Sequence, residues 1–499
     1  MSAPFEIPST WLWSTLGEIA DVVGGVTKDS KRQSDPSFVE VPYLRVANVQ
    51  RGYLDLTNVA TIRVPEEKAR SLQLLQGDVL LNEGGDRDKL GRGWIWDGQL
   101  PVCIHQNHVF RARVRGGVLH PKLLAWHANE FGQRWFQRNG LQSVNLASIS
   151  LSKIKEFPVP LPPLAEQRRI VAILEDYLSV FDSGVAQLSA LTVRINRFRD
   201  QVMLAASTGQ LGLRSDRVTA CRPAPAGVDD GELPPIPKAW KWLRLREIAD
   251  VVGGVTKDSK RQSDPSFVEV PYLRVANVQR AHLDLTDVAH LRVAPQKAEQ
   301  LRLQPGDVLL NEGGDRDKLG RGWIWEDQVP GCIHQNHVFR ARIYERVLHP
   351  KLLAWHANGF GRRWFEVNGL QSVNLASISL RKMKEFPVPV PPLAEQPHLV
   401  QLAERYLSLL DGMEKAIGSA RRKADGLKAS LLATAFAGRL VPQDPNDEPA
   451  SELLARIRAE RAAVPPKQRA ARGRRTQKDK PAPPTRVIGR DYQQGELPL

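Results

Sequence analysis

The sequence predicts a mixed α/β protein in which two β-rich globular domains are joined by two long antiparallel coiled-coil helices. Three observations support this fold class: an internal repeat with an offset of 229 residues, short β-branched runs within each repeat, and an apolar heptad pattern after each repeat. Antiparallel packing of the helices would relate the two halves by an approximate two-fold axis.

The internal repeat is the strongest signal in the chain. A segment that begins at Ile19 recurs at Ile248, and the same offset pairs Asn82 with Asn311. Roughly four in five positions are identical over 16–167, after which identity falls while the apolar pattern persists. The period is too long for a solenoid, whose units have about 20–50 residues. A duplication without functional symmetry stays open as the alternative.

Each globular copy is predicted to be rich in short strands. Runs such as VPYLRVANV, GDVLLNEGG and HVFRARV alternate with Gly, Asp and Pro, which is typical of strands separated by turns. A helix with an Ala-Trp-His core is expected over 120–129, continuing toward Arg138. We therefore predict a mixed α/β domain with a strongly curved sheet in each copy.

A heptad pattern begins at Gln167 and recurs after the second copy. Apolar residues follow alternating steps of four and three over about five heptads, which is the seam of a coiled coil. Two seams of equal length are expected to pack on each other, and parallel helices would crowd both globular copies at one end. The expected seam residues are Ile170, Leu174, Tyr177, Phe181, Gly184, Leu188, Leu191, Ile195, Phe198, Val202 and Ala205, and then Leu399, Ala403, Tyr406, Leu410, Met413, Ile417, Ala420, Ala424, Leu427 and Leu431.

Composition narrows the class of protein. Lys and Arg outnumber Asp and Glu by 70 to 55, a formal net charge of +15, which favours a polyanionic partner although part of the excess lies near the C-terminus. No apolar run reaches the roughly 18 residues of a membrane span, and no secretory signal is visible. Cys103, Cys221 and Cys332 are too few for a disulfide framework, so a reducing cytoplasm is expected.

The junctions between the globular copies and the helices carry a resemblance to a known family. The segment EFPVPLPPLAEQRRIV at 156–171, repeated as EFPVPVPPLAEQPHLV at 385–400, resembles the segment that joins target-recognition domains to helices in specificity subunits of type I restriction-modification systems. Residues 431–457 are similar to the C-terminal segment of that family. Because consecutive prolines stiffen the exit from a sheet, we interpret the junctions as positioning the domains rather than contacting DNA.

This resemblance covers nearly the whole chain and divides it into seven segments. The expected segments are a first target-recognition domain (1–163, the first copy), a first spacer helix (164–211), a linker (212–238), a second target-recognition domain (239–392, the second copy), a second spacer helix (393–440), a closing segment (441–463) and a basic disordered tail (464–499). The family resemblance also implies that a short helix over 451–463 helps to close the chain back toward the first copy.

The resemblance implies a non-catalytic subunit that recognises double-stranded DNA in the bacterial or archaeal cytoplasm. It implies two adenine-methyltransferase subunits and restriction subunits as partners. The chain itself would hold no cofactor, and S-adenosylmethionine, ATP and Mg²⁺ would bind to the partner subunits. Because the two copies are nearly identical, we predict a bipartite target of two identical half-sites in inverted orientation. A duplicated protein-interaction scaffold without sequence-specific DNA recognition is the alternative.

Motifs for catalysis and for metal binding are weak in this sequence. It lacks both the adenine-methyltransferase signature and the phosphate-binding loop GxxxxGK[ST]. The Gly-rich stretch NEGGDRDKLGRGWIW at 82–96 lacks the glycine spacing of a nucleotide cradle, so a mobile basic loop is expected there. In a strand, Cys103 and His105 would share one face while His108 points to the other, and no second ligand pair stands out for zinc.

Candidate DNA contacts lie in three polar segments that both copies share. Lys and Arg would bind phosphates, while Arg, Asn and Gln would bind base edges. The alternative for each is a solvated polar loop. The candidates are Lys28, Lys31, Arg32, Gln33, Arg87, Lys89, Arg92, His105, Gln106, Asn107 and His108, with their counterparts Lys257, Lys260, Arg261, Gln262, Arg316, Lys318, Arg321, His334, Gln335, Asn336 and His337.

A fourth segment and the differences between the copies refine this set. Gln142, Ser143 and Asn145 in GLQSVNLASIS are further candidates, with a structural role equally open. Differences between the copies cluster at about 52–76, 97–102 and 114–117, which suggests that those stretches do not contact bases.

Overall fold

A computed structural model of the chain describes residues 5–85, 87–142, 147–211, 216–218, 223–258, 262–314, 318–371 and 376–463. Two compact units divide the chain: Met1–Ala172 together with Thr434–Leu499, and Ile173–Ala433. No helix in the described ranges is long and apolar enough to cross a membrane. Cys221 and the tail at 464–499, expected to be disordered, lie outside the described residues.

The first copy is built from short strands with five short helices. Its strands are β1 Leu12–Thr15, β2 Ala20–Gly24, β3 Val39–Leu44, β4 Val49–Gln50, β5 Tyr53–Leu54, β6 Ala60–Val64, β7 Asp78–Asn82, β8 Gly84–Gly85, β9 Gly93–Trp96, β10 Ile104–His105, β11 Val109–Val114, β12 Leu141–Gln142, β13 Ala147–Ser148 and β14 Pro158–Leu161. Its helices are α1 Leu16–Ile19, α2 Glu66–Leu72, α3 Pro121–Glu130, α4 Gly132–Asn139 and α5 Leu151–Ile154, and the long helix α6 follows at Leu164–Ser207.

The strands of the first copy form several small sheets rather than one. An antiparallel sheet has the order β2-β11-β7-β9, and its inner strand β7 is buried along its whole length. A second sheet, β10-β3-β6, contains the parallel pair β10 and β3, and a third has the order β12-β13-β8. The mixed α/β class predicted from the sequence is confirmed.

The second copy repeats this arrangement. A short pair, β15 Arg217–Val218 and β16 Ile236–Pro237, precedes it. Its strands are β17 Lys241–Arg244, β18 Ala249–Val252, β19 Val268–Leu273, β20 Val278–Gln279, β21 His282–Leu283, β22 Ala289–Val293, β23 Val308–Asn311, β24 Gly313–Gly314, β25 Gly322–Ile324, β26 Ile333–His334, β27 Val338–Ile343, β28 Leu370–Gln371, β29 Ala376–Ser377 and β30 Pro387–Val390. Its helices are α7 Leu245–Ile248, α8 Pro295–Leu301, α9 Pro350–Asn358, α10 Gly361–Asn368 and α11 Leu380–Lys384, followed by α12 Gln396–Phe436 and α13 Ala450–Ala463.

The helix expected over 120–129 and onward is split in two. Helix α3 ends at Glu130 and α4 begins at Gly132, with Phe131 between them. A Cβ atom on Gly132 would lie 2.6 Å from the Phe136 ring and 3.1 Å from the Phe157 ring. Close packing of these two rings under the start of α4 therefore requires glycine at this break.

The proline-rich junction fixes the first copy to the start of α6. The buried Gln167 amide donates to the carbonyl oxygens of Val118 (2.8 Å) and Pro162 (2.9 Å), and its Oε1 accepts from the His120 amide at 2.8 Å. Gln396 makes the same three bonds in the second copy. These bonds support the interpretation that the junction positions domain and helix.

Helices α6 and α12 pack antiparallel within the second unit. Arg199 of α6 pairs with Asp411 at 2.7 Å and with Glu414 at 2.9 Å, while Lys428 of α12 pairs with Asp182 at 3.1 Å. Residue numbers rise along one helix as they fall along the other, so the predicted antiparallel arrangement is confirmed. The offset of 229 converts Arg199 and Asp411 into Lys428 and Asp182, so the two ion pairs are duplicates of each other.

The predicted seam is wrong at six of its 21 positions, three on each helix. Tyr177 and Phe198 are 54% and 53% exposed, and the inward positions lie one residue later, as at Leu178 with 6% exposure. Two of those later positions are the polar residues Thr192 and Arg199, both partly buried. A search for apolar heptads cannot find these two positions, because both residues are polar. In the sequence, an inward arginine that forms ion pairs looks like a surface residue. The exposed members of the expected seam are Tyr177, Leu191, Phe198, Tyr406, Met413 and Leu427.

Helix α13 lies against the first copy. Its Arg458 guanidinium donates to Glu18 at 2.7 Å, and the amide of Ala450 donates to the Thr10 carbonyl at 3.3 Å. At the end of α12, Phe436 packs at 5.3 Å from His127. Residues 437–463 therefore belong to the same compact unit as the first copy.

Candidate nucleic-acid interface

The segment 105–108 is the point at which the candidate segments of the first copy meet. The amide of Val26 donates to the His105 carbonyl at 2.8 Å, and the amide of Asn107 donates back to Val26 at 2.9 Å. The amide of Gln106 donates to Leu44 of β3, and the amide of Glu83, just after β7, donates to His108. The backbone thus joins the segment to the VTKDSKRQS loop on one side and to the Gly-rich loop on the other.

Glycine at position 25 makes this junction possible. A Cβ atom there would lie 2.0 Å from the His105 carbonyl oxygen and 2.4 Å from that of Gln106. The second copy has the same contacts at Gly254. No other residue lets the two backbones approach so closely, because any side chain would overlap a carbonyl oxygen.

His105 and its counterpart His334 are not at the surface. Both are completely buried, and Nδ1 of each lies 2.6 Å from a backbone oxygen, that of Val109 or Val338. Burial lowers the pKa of both imidazoles to about 4, so they are neutral near pH 7. The expectation that these histidines contact DNA is not compatible with this placement, because neither side chain is exposed at the surface.

His108 has the opposite environment. Its side chain is 53% exposed, Nδ1 lies 3.2 Å from Oε2 of Glu83, and Nε2 lies 3.1 Å from the Asn107 amide nitrogen. His337, Glu312 and Asn336 repeat the arrangement. A donor, an acceptor and an imidazole are therefore held together at an exposed position, which is the chemistry needed at a base edge.

Gln33 has a structural task. Its Nε2 donates to the carbonyl oxygens of Asp29 (3.0 Å) and Arg63 (3.2 Å), and its Oε1 accepts from the Arg63 amide at 3.1 Å. Gln262 makes the same bonds to Asp258 and Arg292. Both amide groups are used in fastening the loop to a neighbouring strand, so the role expected for them at base edges is better assigned to other residues.

The basic candidates differ in their exposure and in their side-chain partners. Lys28, Lys31 and Lys257 are exposed. Arg92 is paired with Asp88 of its own loop, whereas Arg321 donates to Gln279 Oε1 at 3.0 Å. Lys89 and Lys318 are partly buried, and each lies across the neighbouring Gly85 or Gly314. Gln106 and Gln335 are partly exposed.

Several candidates lie outside the described residues. These are Lys260, Arg261, Arg316, Ser143 and Asn145, together with the side chains of Arg32, Arg87 and Gln142.

The described geometry does not favour a phosphate cradle or a zinc site. A Cβ atom on Gly91 of the Gly-rich loop would lie 2.0 Å from the Phe136 ring, so this glycine serves packing. Cys103 is buried in an apolar cluster, and burial raises the pKa of its thiol to about 12. Within the described ranges, no group of three or more His, Cys, Asp or Glu could hold a metal ion.

Sequence reasoning missed two features of the possible binding surfaces. Glu83, which orients His108, follows the fully buried strand β7 directly, and a polar residue at the end of such a strand is a signal that could have found it. The second feature is the set of apolar residues exposed on α6 and α12, six of which the predicted seam had placed inward.

Comparison with known proteins agrees with the resemblance found at the junctions. Residues 8–188 match the family model of the type I restriction modification DNA specificity domain. The EcoKI specificity subunit of Escherichia coli K12 is 24% identical over 92% of this chain and 97% of its own length. The StySPI specificity subunit of Salmonella potsdam is 24% identical over 92% and 96%.

A solved structure shares the fold. A chain from a study of complex assembly and conformational transition of the type I R-M system has a TM-score of 0.64 and 18% identity, and the match covers 88% of this chain and 100% of that one. The curated relatives are named specificity subunits, in agreement with the interpretation of a non-catalytic chain. Residues 8–188 therefore match the type I restriction modification DNA specificity domain, and nearly the whole chain resembles specificity subunits of type I restriction enzymes.

Proposed function

We propose that this chain recognises a bipartite DNA target composed of two identical half-sites in inverted orientation, separated by an unread spacer. Each copy would bind one half-site with the residues around 105–108 or 334–337. The observation that carries the proposal is identity: the copies do not differ over 18–51, 77–96, 103–113 and 139–151, which include every candidate segment. Identical side chains in identical settings select identical bases. The antiparallel helices support the inverted orientation.

Phosphate contacts are assigned to exposed lysines beside this segment. Replacing Lys28 and Lys257 with Gln in the assembled complex should lower the slope of log K against log salt by about 1.8, since each lost phosphate contact contributes about 0.9. The exposed lysines Lys68 and Lys297 of α2 and α8 provide the matched control. Equal slopes for both double variants and the wild type would contradict the assignment.

Base contacts are assigned to the exposed His108 and His337. His108→Ala should weaken binding by about 1–3 kcal/mol and relax selection at one base pair of one half-site. His337→Ala should relax the equivalent base pair of the other half-site. Competition among duplexes that carry single substitutions measures this selection, and two unrelated positions would argue against identical recognition. Binding that ignores both base sequence and salt would favour the alternative of a protein scaffold.

The exposed apolar residues of the helices are assigned to methyltransferase binding. Four of the five large apolar residues exposed on α6, namely Tyr177, Val180, Leu191 and Phe198, are separated by 3, 11 and 7 positions and share one side of the helix, whereas Val193 lies on the other side. Three positions recur at the offset of 229 although the helices have diverged: Tyr177 with Tyr406, Val180 with Leu409, and Phe198 with Leu427, all between 44% and 70% exposed. A duplicated apolar surface suits two copies of one partner. Restriction subunits would join this complex, and S-adenosylmethionine, ATP and Mg²⁺ would belong to the partner subunits.

Co-purification with the methyltransferase tests the partner assignment. Tyr177→Asp and Tyr406→Asp should each reduce the recovered ratio from two methyltransferases to one, and the double variant should recover none. The exposed Ser183 on α6 provides the control as Ser183→Asp. A full ratio with the double variant would overturn the assignment.

A further inference from the structure

The linker before the second copy is bound to helix α10. The Asp230 carboxylate accepts two bonds of 2.8 Å from Arg244 and one of 3.1 Å from Nε1 of Trp364. The Asn368 side chain accepts from the Asp229 amide at 2.9 Å and donates to the Asp229 carbonyl. Asp230 and Arg244 are 11% and 7% exposed. The linker is therefore held by a specific, largely buried set of bonds.

The residues that follow continue this contact. Leu233 packs against the core of the second copy and, with Gly231 and Glu232, lines the same cavity as Phe360 and Trp364. Trp364 is only 3% exposed as a result. The sequence of this part of the linker is GELPP, residues 231–235, preceded by RPAP at 222–225.

The first copy has the same helix surface with a less complete cover. Trp135 and Asn139 stand at the positions of Trp364 and Asn368, but Trp135 is only partly buried. Phe5 packs on Phe131 at 5.2 Å, which covers one part of the surface. Thr15 stands at the position of Arg244. The first copy therefore lacks the arginine that pairs with Asp230 in the second copy.

The linker sequence recurs once, near the end of the chain. Residues 480–483 are KPAP and residues 495–499 are GELPL, which match RPAP and GELPP in the same order. Gln494 precedes this second GELP where Asp230 precedes the first. The neutral Gln494 thus accompanies the neutral Thr15, just as the charged Asp230 accompanies Arg244.

We propose that residues 493–499 bind the α4 surface of the first copy as the linker binds α10. Gln494 would accept from Nε1 of Trp135 without leaving a buried charge unpaired, and Glu496 would face Arg134, the counterpart of Arg363. The 31 residues between Ala463 and Gly495 can span about 100 Å, so reach is not limiting. Both copies would then carry the same brace, one from the linker and one from the tail.

Amide hydrogen exchange of the full chain without DNA tests this binding independently of the proposed function. Leu497→Asp should speed exchange across 132–142 by roughly tenfold and leave 361–371 unchanged. Leu233→Asp should speed exchange across 361–371 and leave 132–142 unchanged. Each variant is therefore the control for the other. A peptide with the sequence QQGELPL, added to the Leu497→Asp protein, should restore slow exchange across 132–142.

Three results would overturn the proposal. The first is unchanged exchange across 132–142 in Leu497→Asp while Leu233→Asp still affects 361–371. The second is an effect of Leu497→Asp on 361–371 instead, which would place the tail on the second copy. The third is protection of 132–142 that depends on protein concentration, which would assign the contact to a second molecule.

Discussion

The two copies are identical where their polar segments meet and differ at several surface turns. Around 105–108 and 334–337 the residues, hydrogen bonds and buried histidines are the same. At three turns, however, the second copy holds a non-glycine residue in the left-handed region: Ala281 (φ 62°), Asp327 (φ 64°) and Arg346 (φ 58°).

Each of these three residues replaces a glycine of the first copy. The counterparts are Gly52, Gly98 and Gly117, with φ of 84°, 79° and 63°, and a Cβ atom would meet nothing within 4 Å at any of them. The replacement therefore costs free energy because a residue with a side chain adopts a left-handed backbone conformation, and not because the side chain overlaps its neighbours. The second copy thus carries strained residues at these surface turns, while its candidate segments are unchanged.

The largest effect is expected from removing the buried ion pair between Asp230 and Arg244, which the first copy lacks. Arg244→Thr, which introduces the residue of the first copy, should lower the free energy of unfolding of the second unit by about 3–5 kcal/mol, because Asp230 is left buried without its cation. Denaturant unfolding measures this loss. Adding Asp230→Asn should recover part of it, and a change below about 0.5 kcal/mol would contradict the account.

Acid should destabilise both units in the same way. Burial lowers the pKa of His105, His127 and His334 to about 4 and that of His356 to about 3. The unfolded chain, with a histidine pKa near 6.5, binds more protons below that pH, so stability falls as pH drops from about 6.5 toward 4. The loss at pH 5 should be about 1–2 kcal/mol per histidine in denaturant unfolding. A free energy that stays constant between pH 7 and pH 5 would contradict this prediction.

The smallest effects are expected from exchanging the residues that differ at the surface turns. Ala281→Gly should raise the free energy of unfolding of the second unit by about 0.5–1 kcal/mol, because it relieves a left-handed alanine. Gly52→Ala should lower that of the first unit by about 1 kcal/mol. Denaturant unfolding of both variants measures the two shifts, and shifts of the same sign would show that these turns are not equivalent.

Features that depend on patterns spread over many residues could be predicted from the sequence. The repeat, the strand-rich copies and the antiparallel helices follow from periodicity and identity over long stretches. The positioning role of the junction could be inferred because proline restricts the backbone in every context.

Features that depend on a single side chain's neighbours could not be predicted. His105 is polar and lies three residues before the exposed His108, and only its tertiary contacts with β3 and Val109 show that it is buried. Gln33 resembles a base-contacting amide until its backbone partners are known. The inward placement of Arg199 could not be predicted, because its acidic partners lie more than 200 residues away in the sequence.

Two copies with identical candidate segments are expected to select identical half-sites, and mapping of methylated DNA tests this expectation most directly. The full complex with its methyltransferase would modify genomic DNA, and sequencing would locate every modified adenine. The account predicts one motif and its inverted repeat at a fixed separation. Two unrelated half-sites at that separation would contradict it.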